Sequence, residues 1–353
     1  MPANDVPSIG VGTTRTQYFE TKDFRLTGGG VLPTARLAYE TYGTLAPDGR
    51  NAVLLCHGFT SSHHAAGRNP ENGNAPGWWD AHVGPGRAID TDRLFVVCSN
   101  MLGSSYGSTN GASIDPKTGK PYGPTFPEIS VRDIVALQRR MVDHLGIKHL
   151  VAVAGQSYGG FQSFQWGTDF PDMMDGIVPV VTAPKVINPS YPALHARLSS
   201  DPNWNGGWYY DKGGVKSTMK AIRMETLKRY GFNEQLADQG LDAAAREARI
   251  EAMATAWAEK FDAHSLLILR HAADRFDTTA DFGKIKAKCL YVISRTDVLF
   301  PPSIVPGVMD ALTAAGVDAR YHLLDSNYGH TASGADPTKW TGALRDFMKP
   351  LMP

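Results

Sequence analysis

Gly155-Gln156-Ser157-Tyr158-Gly159 follows the apolar run Leu150-Val151-Ala152-Val153-Ala154 and leads into a helix-compatible stretch from Gly160. A G-x-S-x-G sequence after a buried strand forces a sharp strand-to-helix turn. Its glycines remove the Cβ atoms that would collide there, so the serine hydroxyl projects from the sheet edge. The helix that follows aims its N-terminus at the same spot, which favours negative charge on a reacting oxygen. Any Gly-rich βα turn can produce the five residues alone, so the reading depends on what lies downstream.

In an α/β-hydrolase fold the nucleophile is followed along the chain by an acid and then a histidine, each on a loop after a late strand. Lys288-Cys289-Leu290-Tyr291-Val292-Ile293-Ser294 reads as a strand emptying into Arg295-Thr296-Asp297. Arg320-Tyr321-His322-Leu323-Leu324 reads as another, emptying into Asp325-Ser326-Asn327-Tyr328-Gly329-His330. The order and strand context select Ser157, Asp297 and His330 as a catalytic triad. Asp325 competes for the acid role but stands too close to His330 at the strand end for triad geometry.

Upstream, residues from Tyr18 to Tyr42 read as an antiparallel hairpin turning at Gly28-Gly29-Gly30, and Ala52-Val53-Leu54-Leu55-Cys56 as a strand covered on both faces. That strand empties into His57-Gly58-Phe59-Thr60, the loop expected to supply one oxyanion-hole amide, with the residue after the nucleophile supplying the other. These are the backbone N–H groups of Phe59 and Tyr158; His57 reads as a packing histidine. Asn100 to Pro127 is a long irregular segment of the kind that is usually functional. Ser130 and Asp133 form a partial capping box for a helix that Gly146 ends. Ile177-Val178-Pro179-Val180-Val181 reads as a further strand with an awkward proline. From Ala183 to Asp281 the pattern becomes helical, with helices expected over Met219 to Tyr230, Leu241 to Phe261 and His264 to Arg275. A last helix, Pro337 to Met348, is expected with Asp336 as its cap.

The fold expected is therefore α/β, a mostly parallel central sheet with a helical lid insertion. Residues 1–182 form the first part of the core, 183–281 the lid, and 282–353 the second part of the core. Lysine plus arginine equals aspartate plus glutamate at 35 each in 353 residues, so no net field draws in nucleic acid or an anionic membrane. Cys56, Cys98 and Cys289 lie in apolar runs without metal-type spacing and read as reduced core residues. Met1-Pro2-Ala3-Asn4-Asp5 lacks a leader-like pattern, and no apolar run is long enough to span a bilayer. A soluble cytoplasmic protein without metal or cofactor is the expectation.

Longer motifs then resemble the homoserine O-acetyltransferase family from about Tyr18 to the C-terminus. They are Gly77-Trp78-Trp79-Asp80, Gly84-Pro85-Gly86-Arg87-Ala88-Ile89-Asp90-Thr91-Asp92-Arg93, Thr118-Gly119-Lys120-Pro121-Tyr122-Gly123 and Asp201-Pro202-Asn203-Trp204-Asn205-Gly206-Gly207. The resemblance implies an α/β-hydrolase core, a lid that often mediates homodimerisation, and a serine that carries an acyl group. It also implies substrate contacts at Arg223 and Tyr230, although a solvated helix charge is the plain alternative for Arg223. Trp78, Trp79, Trp204 and Trp208 are candidates for an apolar pocket, with core packing expected for at least half of them.

The sequence departs from the family at two places. Gln156 and Tyr158 flank the serine where the family has Gly-Gly-Ser-Met-Gly-Gly. Thr331 follows the histidine where the family places an aspartate that pairs with the amino group of homoserine. A buried ammonium without a carboxylate is costly. The sequence therefore predicts a serine carboxylesterase acting on a small-molecule ester with a short, acetyl-type acyl group. Homoserine O-acetylation from acetyl-CoA is the alternative, and a non-catalytic binding module is a third reading.

Overall fold

The apolar runs that decide the fold become the middle of an eight-stranded sheet. A computed structural model describes residues 10–352; the stretch Met1 to Asp5, read above for a leader, lies outside the described residues. The main-sheet strands are β1 (Gln17–Arg25), β2 (Val31–Tyr42), β3 (Ala52–Cys56), β4 (Phe95–Ser99), β5 (Leu150–Gln156), β6 (Met174–Val180), β7 (Lys288–Ser294) and β8 (Ala319–Leu324). Their spatial order is β1-β2-β4-β3-β5-β6-β7-β8. β2 runs antiparallel to β1 and β4, and every other pair is parallel. β5, which carries the elbow, sits between β3 and β6 with partners on both sides.

Parallel strands need covering on both faces, and alternation along each strand supplies two apolar clusters. Leu54 and Cys56 join the cluster containing Ile134, Phe164 and Leu312, from α1 (Val131–His144), α2 (Tyr158–Asp169) and α8 (Val305–Ala314). Val53 and Leu55 join the opposite one, with Trp79, Trp340 and Phe347. The three cysteines are buried and free of disulfides. The Ser130 box is complete: Ser130 Oγ accepts from the Asp133 amide and Asp133 Oδ2 accepts from the Ser130 amide, worth about 1 kcal/mol.

Between β6 and β7 the chain forms α3 (Tyr191–Ser199), α4 (Lys216–Arg229), α5 (Phe232–Asp238), α6 (Ala243–Ala258) and α7 (Ala263–Asp274). α3 and α5 lie outside the helices the periodicity predicts; α5 is only seven residues long and buries Leu236 alone, too little for a periodic signal. Pro179 does sit inside the sheet. Pairing between β6 and β7 passes from Ile177–Cys289 to Val180–Val292 and skips Val178 and Pro179, so the missing N–H falls at a gap in that ladder. The expected single helix from Pro337 to Met348 is instead a 3₁₀ turn, Pro337–Lys339, a break at Trp340 (φ −143°, ψ −5°), and α10 (Thr341–Met348), after the four-residue α9 (Ala332–Ala335). Asp336 makes no side-chain cap bond there. Burial of the Trp340 ring, whose Nε1 donates to the Ser333 carbonyl at 2.9 Å, sets the break.

Candidate active site

Ser157 occupies a backbone conformation that side chains rarely adopt, φ 56° and ψ −118°, which costs about 1–3 kcal/mol in general. Three hydrogen bonds hold it there: its amide donates to the Val180 carbonyl at 2.8 Å, and its carbonyl accepts from the Gly160 amide and from Thr182 Oγ1, each at 2.8 Å. The elbow glycines are required by space. A Cβ at Gly159 would lie 1.9 Å from the Cys56 carbonyl oxygen, and one at Gly155 2.3 Å from the Gly159 oxygen.

The acid and histidine loops converge on this turn. Asp297, 2 % exposed, holds His330 Nδ1 at 2.7 Å through Oδ2, while its Oδ1 accepts from the amides of Leu299 and Phe300 at 2.8 and 3.2 Å. His330 Nε2 is buried and unpaired, and His330 and Ser157 line one cavity of about 480 Å³. Asp325 is exposed and bound to Arg295 at 2.5 Å, so the competing acid faces away. Thr296, beside Asp297, accepts from the Gly329 amide at 3.1 Å and donates to the Ser326 carbonyl at 2.9 Å, fastening the two loops together. That staple joins positions about thirty residues apart, and no local pattern marks it.

Gly58 and Phe59 also line the cavity, and the Phe59 ring stacks on Tyr158 at 5.9 Å. Neither the Phe59 nor the Tyr158 amide donates a hydrogen bond within the described residues. The Tyr158 hydroxyl donates to the Leu269 carbonyl at 3.1 Å, tying the elbow helix to α7, and burial pushes its pKa up. His57 is fully buried; its ring nitrogens lie 2.8 Å from the Gly58 carbonyl oxygen and 2.7 Å from Asn100 Oδ1, and burial lowers its pKa. It braces the loop. Gln156 accepts from Ser333 Oγ at 2.7 Å, and Ser333 also receives Trp79, His82 and Trp340 through its hydroxyl or carbonyl. The elbow departure at Gln156 thus anchors the segment after His330.

Arg223 and Tyr230 are brought to the same cavity by α4 and its C-terminal cap. Arg223 Nη1 donates to Thr60 Oγ1 at 2.7 Å, its guanidinium lies 5.2 Å from the Trp257 ring centre, and its Nε is buried without a partner. Burial lowers its pKa, with the Tyr230 and Tyr106 phenols acting the other way; an arginine stays cationic at neutral pH nonetheless. No salt bridge to it exists among the described residues. Tyr230 packs its ring 4.8 Å from that of His330, and its carbonyl accepts from the Thr331 amide at 3.1 Å. Of the tryptophans, Trp78 lines the cavity, Trp79 and Trp204 are buried, and Trp208 is exposed. No residue from Asn100 to Pro127 lines this cavity. That segment supports the helical layer instead, Ser105 Oγ donating to Ser265 Oγ and accepting from the Asp262 amide.

Comparison with known proteins fits this geometry. The model of the alpha/beta hydrolase fold family matches residues 51–335. A homoserine O-acetyltransferase of Moorella thermoacetica is 37% identical over 98% of both chains, and one from Geobacter metallireducens is 37% identical over 97% of this chain and 98% of its own. Among solved structures, esterase E22 superposes with a TM-score of 0.86 at 29% identity, covering 95% of this chain and all of its own. Homoserine O-acetyltransferase from Bacillus anthracis gives 0.85 at 25%, covering 95% and 98%. The chain is an enzyme of the acyl-transfer type, which sets aside the binding-module reading.

The expectation of an ester hydrolase is corrected by these relatives. Sequences 35–38% identical over nearly all of this chain carry the transferase name, whereas esterases enter as neighbours in structure. The expectation rested on Thr331, a single position set against likeness over nearly the whole chain. The chain belongs to the α/β-hydrolase family, in the group that contains the homoserine O-acetyltransferases.

Proposed function

We propose that the protein transfers an acetyl group from acetyl-CoA to the hydroxyl of homoserine through Ser157, His330 and Asp297. The observation that carries this reading is Arg223, a cation without a carboxylate partner in the cavity that holds the nucleophile. An unpaired, half-buried guanidinium is costly to the free protein and is matched by a substrate carboxylate, for which its forked donors are suited. A simple alkyl ester gives it no such partner. The transferase relatives support the same reaction class.

In the first half-reaction His330 Nε2 takes the proton from Ser157 Oγ, which attacks the thioester carbonyl, while Asp297 fixes the imidazole through Nδ1 and stabilises it once protonated. The developing oxyanion is received by the amides of Phe59 and Tyr158, each worth on the order of 3 to 4 kcal/mol. The C–S bond breaks, CoA leaves as the thiol with the proton from His330, and the acetyl group remains on Ser157. In the second, His330 deprotonates the homoserine hydroxyl, which attacks the acyl-enzyme, and the ester leaves as Ser157 regains its proton. The Arg223 guanidinium and the Tyr230 hydroxyl position the acceptor.

Residues 183–281 act in this reading as a lid, fixed to the histidine loop where the Tyr230 carbonyl meets the Thr331 amide. The same segment is the proposed homodimer contact, and the cytoplasm the proposed location, where acetyl-CoA is supplied. Thiol release from acetyl-CoA with and without L-homoserine tests the reading. Homoserine-dependent release with formation of O-acetylhomoserine is expected; release that homoserine does not accelerate contradicts it.

A further inference from the structure

Ser157 lines two cavities, one shared with Arg229 and Arg270 and free of carboxylates, and the other, shared with His330, carrying one fixed charge. Among the described residues lining the second, Arg223 is the only cation other than the catalytic histidine, and there is no aspartate or glutamate. The wall next to His330 is made by Thr331 and Gln235. Gln235 Nε2 donates to Thr331 Oγ1, and the Thr331 hydroxyl donates to the Tyr328 carbonyl at 2.9 Å. This wall offers neutral polar groups only. The two carboxylates on the same helix as Gln235, Glu234 and Asp238, do not line the cavity, and Asp238 accepts from the Tyr328 hydroxyl at 3.0 Å. Asp336 does not line it either.

An acceptor carrying both a carboxylate and an ammonium therefore meets complementary charge for one group alone. The carboxylate gains the guanidinium. The ammonium loses hydration without a counter-ion and enters a site whose fixed charge has its own sign. Specificity is a difference between affinities, and here that difference favours the anion without regard to the amine.

We infer that the acceptor is selected through its carboxylate by Arg223, with its amino group contributing little, so that the substrate class is short ω-hydroxycarboxylates whether or not they carry an α-amino group. This rests on the acyl-transfer reading above and deepens it. The step is unchanged: the acetyl C–S bond breaks, a C–O bond forms to the acceptor hydroxyl, and the hydroxyl proton ends on the CoA thiol.

The test is a comparison of kcat/KM for three acceptors with acetyl-CoA: L-homoserine, 4-hydroxybutanoate, which lacks the amine, and 2-aminobutane-1,4-diol, which lacks the carboxylate. The expected result is a value for 4-hydroxybutanoate within tenfold of that for homoserine, or above it, and a value for the aminodiol lower than both by roughly a hundredfold. A value for 4-hydroxybutanoate more than tenfold below homoserine overturns the inference and leaves the transferase reading standing. Thiol release that no acceptor accelerates overturns both. Thr331→Asp supplies the missing carboxylate and should raise the homoserine to 4-hydroxybutanoate ratio at least tenfold. An unchanged ratio in a folded variant that still takes an acetyl group from acetyl-CoA would overturn the assignment of that wall to the amino group.

Discussion

Replacing Arg223 with methionine separates binding of the acceptor from chemistry at the serine. The stem keeps its length and can still pack on Trp257, while the guanidinium and its bond to Thr60 disappear. Losing one partner of a half-buried charge pair costs about 3 kcal/mol, or roughly 150-fold in kcat/KM for homoserine. Acetylation of Ser157 makes no call on Arg223, since the acetyl group bears no charge. The burst of p-nitrophenol from p-nitrophenyl acetate should therefore stay within threefold of the parent. The free variant should be no less stable, because the parent holds that cation without a carboxylate. Stopped-flow burst kinetics, thiol-release assays and thermal melts read the three quantities. Equal loss in both half-reactions, or homoserine kinetics unchanged, would refute the reasoning.

Four further outcomes follow. Asp297→Asn should lower kcat by on the order of 10⁴ by removing the carboxylate on His330 Nδ1, whereas Asp325→Asn, on the exposed pair with Arg295, should stay within twofold; steady-state kinetics separates them. Gly159→Ala places a Cβ 1.9 Å from the Cys56 carbonyl oxygen, and soluble, folded protein should fall sharply in expression and circular dichroism. Glu40 and His64 form a buried pair at 2.9 Å. Burial alone would raise the Glu40 pKa, but bonds from His64 and Asn69 hold it below its ordinary 4.5; burial alone would lower that of His64, but Glu40 holds it above 6.5. The carboxylate's contribution is thus present above pH 4.5 and lost as pH falls through its lower folded value, and the imidazolium's is present below pH 6.5 and lost as pH rises through its higher folded value. Glu40→Gln should cost about 3 kcal/mol between those limits and less on either side; a pH-independent difference in melting temperature would count against it. Thr296→Val unfastens the acid and histidine loops and should cut kcat roughly tenfold with little change in KM, and a wild-type kcat would show that the loops hold without it.

The sheet was legible because its strands are uninterrupted apolar runs, and the order of Ser157, Asp297 and His330 after three of them gave the site its outline. Two helices leave no mark in the sequence for a physical reason: α5 buries one leucine and α3 one other, so neither carries a periodic stripe. Trp340 breaks the expected C-terminal helix through a contact with Ser333 that local sequence does not encode. Thr296, Ser333 and Gln235 act across about 30, 177 and 96 positions respectively, and only the folded chain brings their partners into range. The reaction is not legible in one position: the carboxylate absent at Thr331 points to an ester hydrolase, whereas likeness over nearly the whole chain points to acyl transfer. Thr331 and Arg223 both line the cavity, and in the proposed reaction it is Arg223 that meets the acceptor.

The central claim is an acetyl group carried on Ser157 between two substrates. Mass spectrometry of protein mixed with acetyl-CoA, quenched in acid and digested, tests it directly. One acetyl group is expected on the peptide containing Ser157, absent from Ser157→Ala, and discharged to O-acetylhomoserine faster when homoserine is added than in water alone. A protein that turns over acetyl-CoA and homoserine with no acetyl group on that peptide would contradict it.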